Sequence, residues 1–302
     1  MRKILVVLLI MFSWRVDAQQ ENGAMRDILD PYLYNSASSG FKSGLNINLH
    51  YMNQWLGMDG SPKELALSAH GLLRGTNFSA GGVLNYGKSG VSNVMDVEIS
   101  GTYRFLVSDW TWLSLNVGGG ARCVAKDFSL LEYDGDPYFE EQEDFEVVPR
   151  FRMGCWLRFE EESYFSFSVL GVGDGHRCSF GYKQATHYYF SAGKSFRMRP
   201  DSWFVCDGLL YAAKYSPVGV VLSGSCRWRR SWQSGIAYQL GKTVSPFVRF
   251  MHNEHLFLAC VYSISLNEMC VAGKASSFSL MVGFRCASDE KGKERSFRNA
   301  PL

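Results

Sequence analysis

From Gly44 to Cys286, apolar residues recur at every second position in short runs, and each run is closed by a turn before the alternation resumes. In the first run Leu45, Ile47, Leu49, Tyr51 and Trp55 fall on one side, and Asn46, Asn48, His50 and Gln54 on the other. Val97, Ile99, Tyr103 and Phe105 oppose Asp96, Glu98, Ser100, Thr102 and Arg104. Leu113, Leu115 and Val117 oppose Ser114, Asn116 and Arg122. Phe151, Met153, Cys155, Leu157 and Phe159 oppose Arg150, Arg152 and Arg158, and Phe278, Leu280, Val282 and Phe284 oppose Ser277, Ser279 and Arg285. A period of two predicts β-strands with an apolar face and a polar face. Charges on a lipid-facing side are costly near a bilayer midplane, so Asp96, Glu98, Arg104, Arg122, Arg150, Arg152 and Arg158 are expected to face a lumen.

Continuing the count predicts about 14 strands, an even number of the kind bacterial outer-membrane barrels use. They fall near 44–55, 64–73, 77–86, 93–106, 110–123, 146–159, 163–171, 187–197, 202–213, 218–227, 231–240, 244–252, 255–264 and 276–286. The connections 74–76, 107–109, 160–162, 198–201, 228–230 and 253–254 are short, while the long ones, 124–145, 172–186 and 265–275, fall on the opposite parity. Short periplasmic turns alternating with longer outer loops are the layout of an antiparallel transmembrane β-barrel. The fold class expected is therefore all-β, with both chain ends periplasmic and the long connections extracellular.

Composition fits this picture without carrying it. Mean hydropathy is −0.10, and barrels escape hydropathy scans because lipid-facing and lumen-facing residues alternate. A formal net charge of +2 gives no pull toward nucleic acid. Arg2 and Lys3, the apolar run Ile4 to Phe12, and the small residues Val16 and Ala18 read as a signal peptide over 1–18. Residues 19–43 are then expected as an N-terminal periplasmic segment, 44–286 as the barrel, and 287–302 as a polar tail. The eight cysteines are scattered singly along strands, as small apolar fillers or as partners in one or more disulfides.

The chemistry-bearing motifs are few. No G-x-S-x-G nucleophile elbow occurs, and Gly118-Gly119-Gly120 and Gly171-Val172-Gly173-Asp174-Gly175 do not open helices of a nucleotide-binding unit. His252 and His255 flank a short turn with no third ligand in view, and Arg227, Arg229 and Arg230 surround Trp228 as a basic girdle. No enzyme activity, cofactor or metal is expected. The connection after the fifth strand concentrates acidic and aromatic side chains, among them Asp134, Asp136, Tyr138, Phe139, Glu140 and Glu141. It reads as a solvated loop, as a contact surface with aromatic anchors inside a charged rim, or as a cation site. The mixed-sign lumen residues either pair and fill the bore or line an anion-selective pore.

Three stretches carry a resemblance. The first is Asn35-Ser36-Ala37-Ser38-Ser39-Gly40. The second is the hairpin Gln54-Trp55-Leu56-Gly57-Met58-Asp59-Gly60-Ser61-Pro62-Lys63, followed by Leu65-Ala66-Leu67-Ser68-Ala69-His70-Gly71. The third is Tyr262-Ser263-Ile264-Ser265-Leu266. Together they resemble the PorP/SprF family of Bacteroidota outer-membrane proteins, whose first segment is of the N-P-A-x-x-G type, with Ser36 here in place of the proline. The resemblance implies an outer-membrane protein associated with type IX secretion and gliding. Its partners would be membrane lipid, the secretion components and a surface cargo protein bearing a C-terminal sorting domain. An alternative is a channel or transporter for small or hydrophobic solutes. The hairpin residues Gln54, Trp55, Gly57, Asp59, Gly60 and Pro62 have a plain structural reading as well: Asp-Gly favours a tight turn, and Pro62 limits pairing at a strand start.

Overall fold

In the computed structural model the alternation closes into a single barrel. Residues 28–40, 44–127, 144–159, 163–171, 185–213, 216–229, 231–253, 255–266 and 276–286 are described. The strands are β1 (Leu45–Asn53), β2 (Lys63–Leu72), β3 (Phe78–Ser89), β4 (Ser92–Ser108), β5 (Thr111–Lys126), β6 (Asp144–Phe159) and β7 (Ser163–Leu170). They continue with β8 (His187–Arg199), β9 (Ser202–Ala213), β10 (Gly219–Trp228), β11 (Trp232–Gln239), β12 (Thr243–His252), β13 (Leu256–Ser265) and β14 (Ser276–Cys286). Each strand pairs antiparallel with its sequence neighbours, and β14 returns to pair with β1 from Leu45↔Cys286 to Asn53↔Phe278. Closure removes every sheet edge, which lets backbone polar groups cross hydrocarbon fully bonded.

The two faces separate as the sequence pattern requires. Ile99 is 72% exposed and Val117 69%, whereas Asp96 between β3 and β5 is 3% exposed. One hairpin is longer than expected. β3 and β4 stay paired to Ser89↔Ser92 around a turn at Gly90, whose φ of +56° suits glycine. Gly87 and Lys88 lack the apolar alternation yet remain in the ladder.

Residues 28–40 lie elsewhere than expected. The sequence reading assigns 19–43 to the periplasm, but the described part is inside the barrel. It forms two 3-10 turns, Pro31–Leu33 and Ser36–Ser38, with Tyr32, Asn35, Ser36, Ala37 and Ser39 almost completely buried. Side chains of this short stretch and its backbone are bonded to β1, β2, β3, β4, β6, β7, β8 and β12. A dozen residues can touch strands all around a closed wall only from within it. We call this segment the plug. Two small cores flank it: Tyr32 and Leu33 with Ala66 and Val83, and a larger one that joins Leu29, Tyr34 and Ala37 to Trp156, Leu209, Phe247, Phe257 and Met281.

Candidate functional site in the barrel lumen

The plug is anchored at three levels. At its start, the Asp30 carboxylate accepts hydrogen bonds from Asn48 (2.8 Å) and Ser68 (2.6 Å) and lies 3.2 Å from His50 Nε2. Burial alone would raise the pKa of this carboxyl. The His50 hydrogen bond and charge, the charge of His70 and the Ser68 hydroxyl outweigh burial and hold it well below the usual carboxylate range. Beside it, the Tyr32 ring stacks on His70 at 4.3 Å between centroids, and its hydroxyl meets Ser100 Oγ at 2.9 Å. Burial pushes the Tyr32 phenol upward, so it stays neutral.

At mid-plug, Asn35 does two jobs. Its Oδ1 accepts from the Ala37 amide at 3.0 Å, capping the second turn, while its Nδ2 donates to the carbonyls of Cys155 (3.0 Å) and Phe167 (3.2 Å). It reaches the wall backbone because residue 154 is glycine; a Cβ there would sit 2.6 Å from Asn35 Oδ1. Ala37 is fully buried. Ser36, where the family pattern has proline, accepts from Arg152 Nη1 at 2.5 Å, and Thr102 donates to the Ser36 carbonyl at 3.0 Å. The plug ends at Gly40, whose φ of +80° is a backbone form that favours glycine and whose carbonyl accepts from Arg104.

Five of the seven charged residues read from the sequence form one network on adjacent strands. Asp96 pairs with Arg122 (2.6 Å) and Arg150 (2.7 Å), and Glu98 pairs with Arg150 (3.1 Å) and Arg152 (2.5 Å). β5 lies between these partners, and its register places Gly120 between Glu98 and Arg150, and Gly118 between Ser100 and Arg152. A Cβ on Gly118 would approach Arg152 Cγ to 2.9 Å, so the glycine run keeps a gap through which β4 and β6 side chains meet. Arg152 is the hinge of the arrangement, because it also donates to the plug carbonyls of Tyr32 and Leu33, both at 3.3 Å. Arg158 is buried lower on β6 and Arg104 packs over Trp112 at 5.4 Å. The charges thus pair along the wall and grip the plug, which lies in the lumen beside them.

The family-motif hairpin caps the end of the barrel that bears the longer connections. Gly57 (φ +85°) and Gly60 (φ +70°) make its turns, and β2 begins directly after Pro62. Gln54 is buried; its backbone N–H donates to Pro62 O at 2.9 Å and its side-chain amide to Met52 Sδ at 3.7 Å. Leu56 N–H donates to Ser276 O, and Gly90 N–H to Gly60 O, so the hairpin ties β14 to the β3–β4 turn. Trp55 is half-buried with φ +50°, and Asp59 is exposed at the tip. The acidic connection with Asp134, Asp136, Tyr138, Phe139, Glu140 and Glu141 lies outside the described residues, as do 1–27 and the tail 287–302. Among the described residues six cysteines, including Cys123, Cys155 and Cys206, form no disulfide. No group of three metal-ligating side chains occurs among the described residues.

A family model described as type IX secretion system membrane protein PorP/SprF matches residues 29–284, taking in the plug as well as the wall. The chain belongs to this family. As a PorP/SprF member with a closed transmembrane barrel, it is an outer-membrane protein, and membership implies association with components of the type IX secretion system. Family and fold are those of a secretion component rather than of an enzyme. Among solved structures, the outer membrane protein Omp33 of Acinetobacter baumannii is similar at a TM-score of 0.47 and 5% identity, over 82% of this chain and 100% of that one. The NanC porin follows at 0.43 and 10%, over 80% and 100%. BamA from Haemophilus ducreyi lacking POTRA domains 1–3 is at 0.43 and 10%, over 80% and 69%. No curated protein matches the chain.

Of the residues in this site, Asp30, Asn35 and Ser36 carry no periodicity that would single them out. Asn35 and Ser36 are signalled in the sequence only by the family-like segment 35–40, read there as a signature and not as a lumen lock, and Asp30 lies outside it.

Proposed function

We propose that this barrel helps secrete or anchor a cell-surface cargo protein with a C-terminal sorting domain through the type IX system, in secretion or gliding. The family match across 29–284 carries this reading. The plug supports a particular form of it: with this segment lodged in the lumen, cargo engages the loops, turns or rim rather than passing through the bore. The acidic connection 128–144 is the candidate cargo contact, because aromatic anchors within a charged rim suit protein recognition. The same lodged segment weighs against the channel alternative.

The deciding experiment is deletion of the gene and quantification of the surface-exposed proteome. Selective loss of one or a few large surface proteins, restored by complementation, is expected; an unchanged surface sinks the reading. Deleting 128–144 in a barrel that still folds should abolish cargo attachment, and normal attachment would remove that loop from the proposal.

A further inference from the structure

Four outward-facing polar side chains line up across β1 to β4 where the wall meets the longer connections. Asn53 lies opposite Lys63, Lys63 opposite Lys88, and Lys88 opposite Asn93. The alternation fixes their direction, because Met52, Ala66, Val83 and Asp96 hold the other parity of the same strands and are buried toward the lumen. Two residues deeper, the next outward row is Tyr51, Leu65, Tyr86 and Met95, all exposed on the wall. That row belongs to the lipid-facing band. The longer connections of such barrels are extracellular, so the polar row lies at the outer-leaflet boundary.

Like charges directly opposite on one face, with Cβ atoms about 4.5–5.5 Å apart, destabilise a sheet, and an anion bridging them removes that cost. Among the described residues neither Lys63 nor Lys88 makes an ion pair. Glu64 lies on the lumen parity of β2, and Asp59 is exposed at the hairpin tip. The flanking amides add to the same character. Asn53 Oδ1 accepts from Ser61 Oγ at 3.3 Å, and Asn93 Oδ1 accepts from the Tyr86 hydroxyl at 3.2 Å, with Nδ2 of each left to donate. The row therefore offers donors on four consecutive strands: amide, ammonium, ammonium, amide. Ammonium groups bind phosphate as point charges, and their long stems lie along apolar surface while the charge stays at its edge. The apolar row beneath decides what carries the phosphate. An anion held here has its attached hydrocarbon against Leu65, Tyr86 and Met95, within the acyl layer.

We propose that Lys63 and Lys88, flanked by Asn53 and Asn93, form a binding site for the phosphate headgroup of an outer-leaflet lipid. The phosphate bridges the two ammonium groups while the acyl chains lie on the apolar row below. The site does not depend on the cargo role.

The test titrates the full-length barrel, in a neutral detergent at constant ionic strength, with monophosphoryl lipid A and with the same lipid stripped of its phosphate. Bound lipid is read by native mass spectrometry. Saturable binding of the phosphorylated lipid is expected, weakened at least about tenfold without the phosphate and about tenfold by Lys63→Gln or by Lys88→Gln. Both side chains point outward, so these variants leave the barrel core untouched. Lys242→Gln removes the same charge from the β11–β12 turn at the same end of the barrel and should leave affinity unchanged. No saturable binding, equal affinity for the two lipids, or unchanged affinity in both Lys63→Gln and Lys88→Gln overturns the proposal. An equal loss in Lys242→Gln also overturns it, by showing that net charge and not this row attracts the lipid. Displacement by inorganic phosphate at the concentration of the lipid would mark a site for the free anion and overturn the lipid assignment.

Discussion

The two sides of the lumen hold the plug by different physics. On the β4–β6 side the wall is ionic: Asp96, Glu98, Arg122, Arg150 and Arg152 pair around a strand with three glycines, and Arg152 donates to plug carbonyls. On the β9–β14 side it is more apolar: Leu209, Val221, Phe247, Val261 and Met281 are buried, aromatic rings lie on glycines, and Arg249 adds a single bond to the Leu29 carbonyl. A Cβ on Gly283 would fall 1.9 Å from the Phe257 ring, and one on Gly219 2.0 Å from the Tyr211 ring. The ionic side fixes direction and register, because a guanidinium fork accepts only a narrow geometry. The apolar side supplies close contact with little angular demand, and there steric fit sets the tolerance.

Removing the shared element should have the largest effect. Deleting 28–40 leaves both walls facing an empty bore, and solute leak through liposome-reconstituted barrels should rise from background to a plainly measurable rate. A sealed deletion variant would show that the walls close the lumen unaided. Next in size is Arg152→Ala, which strips Glu98 of a buried partner and the plug of its central donor. A loss of about 3–5 kcal/mol is expected, the usual cost of leaving a buried charge unpaired, read from thermal unfolding in detergent. Gly283→Ala attacks the other wall by forcing Phe257 aside, and overpacking of this kind costs about 1–3 kcal/mol. If both variants destabilise while only Arg152→Ala makes the plug protease-sensitive, the division between register and fit holds.

The pH response should be smaller. The Asp30 carboxyl is depressed in the folded barrel, so its stabilising contribution is complete above the ordinary carboxylate value, about 4, and is lost as pH falls through the lowered one. Wild-type protein should therefore lose a few degrees of melting temperature on acidification below about pH 4. Asp30→Asn should flatten that limb. An identical acid limb in the variant would place the sensitivity elsewhere.

The strands were legible because lipid and lumen impose opposite demands on consecutive residues. Asp96 and Glu98 against Val97 and Ile99 state the two faces outright, and β4 follows. Gly87 to Ser89 state nothing of the kind, and the β3–β4 ladder runs past its expected end. The plug was not legible for a stronger reason. Its bonds depend on where eight separate strands come together, and no local pattern in Asp30 or Asn35 encodes that meeting. A short polar stretch ahead of a barrel reads as a leader whether it lies outside or is drawn in.

The plug also imposes an order of events on assembly. It precedes β1 in the chain, yet Leu29 is tied to Arg249, 220 residues later, and the circle is complete only when β14 zips onto β1. While that seam stands open the nascent wall is a sheet, and the early segment can lie against it as each later strand arrives. Once the seam shuts, the same segment is enclosed on all sides. The step that finishes the wall is therefore also the step that seals the bore, and a chain halted before it would be both open-edged and unplugged.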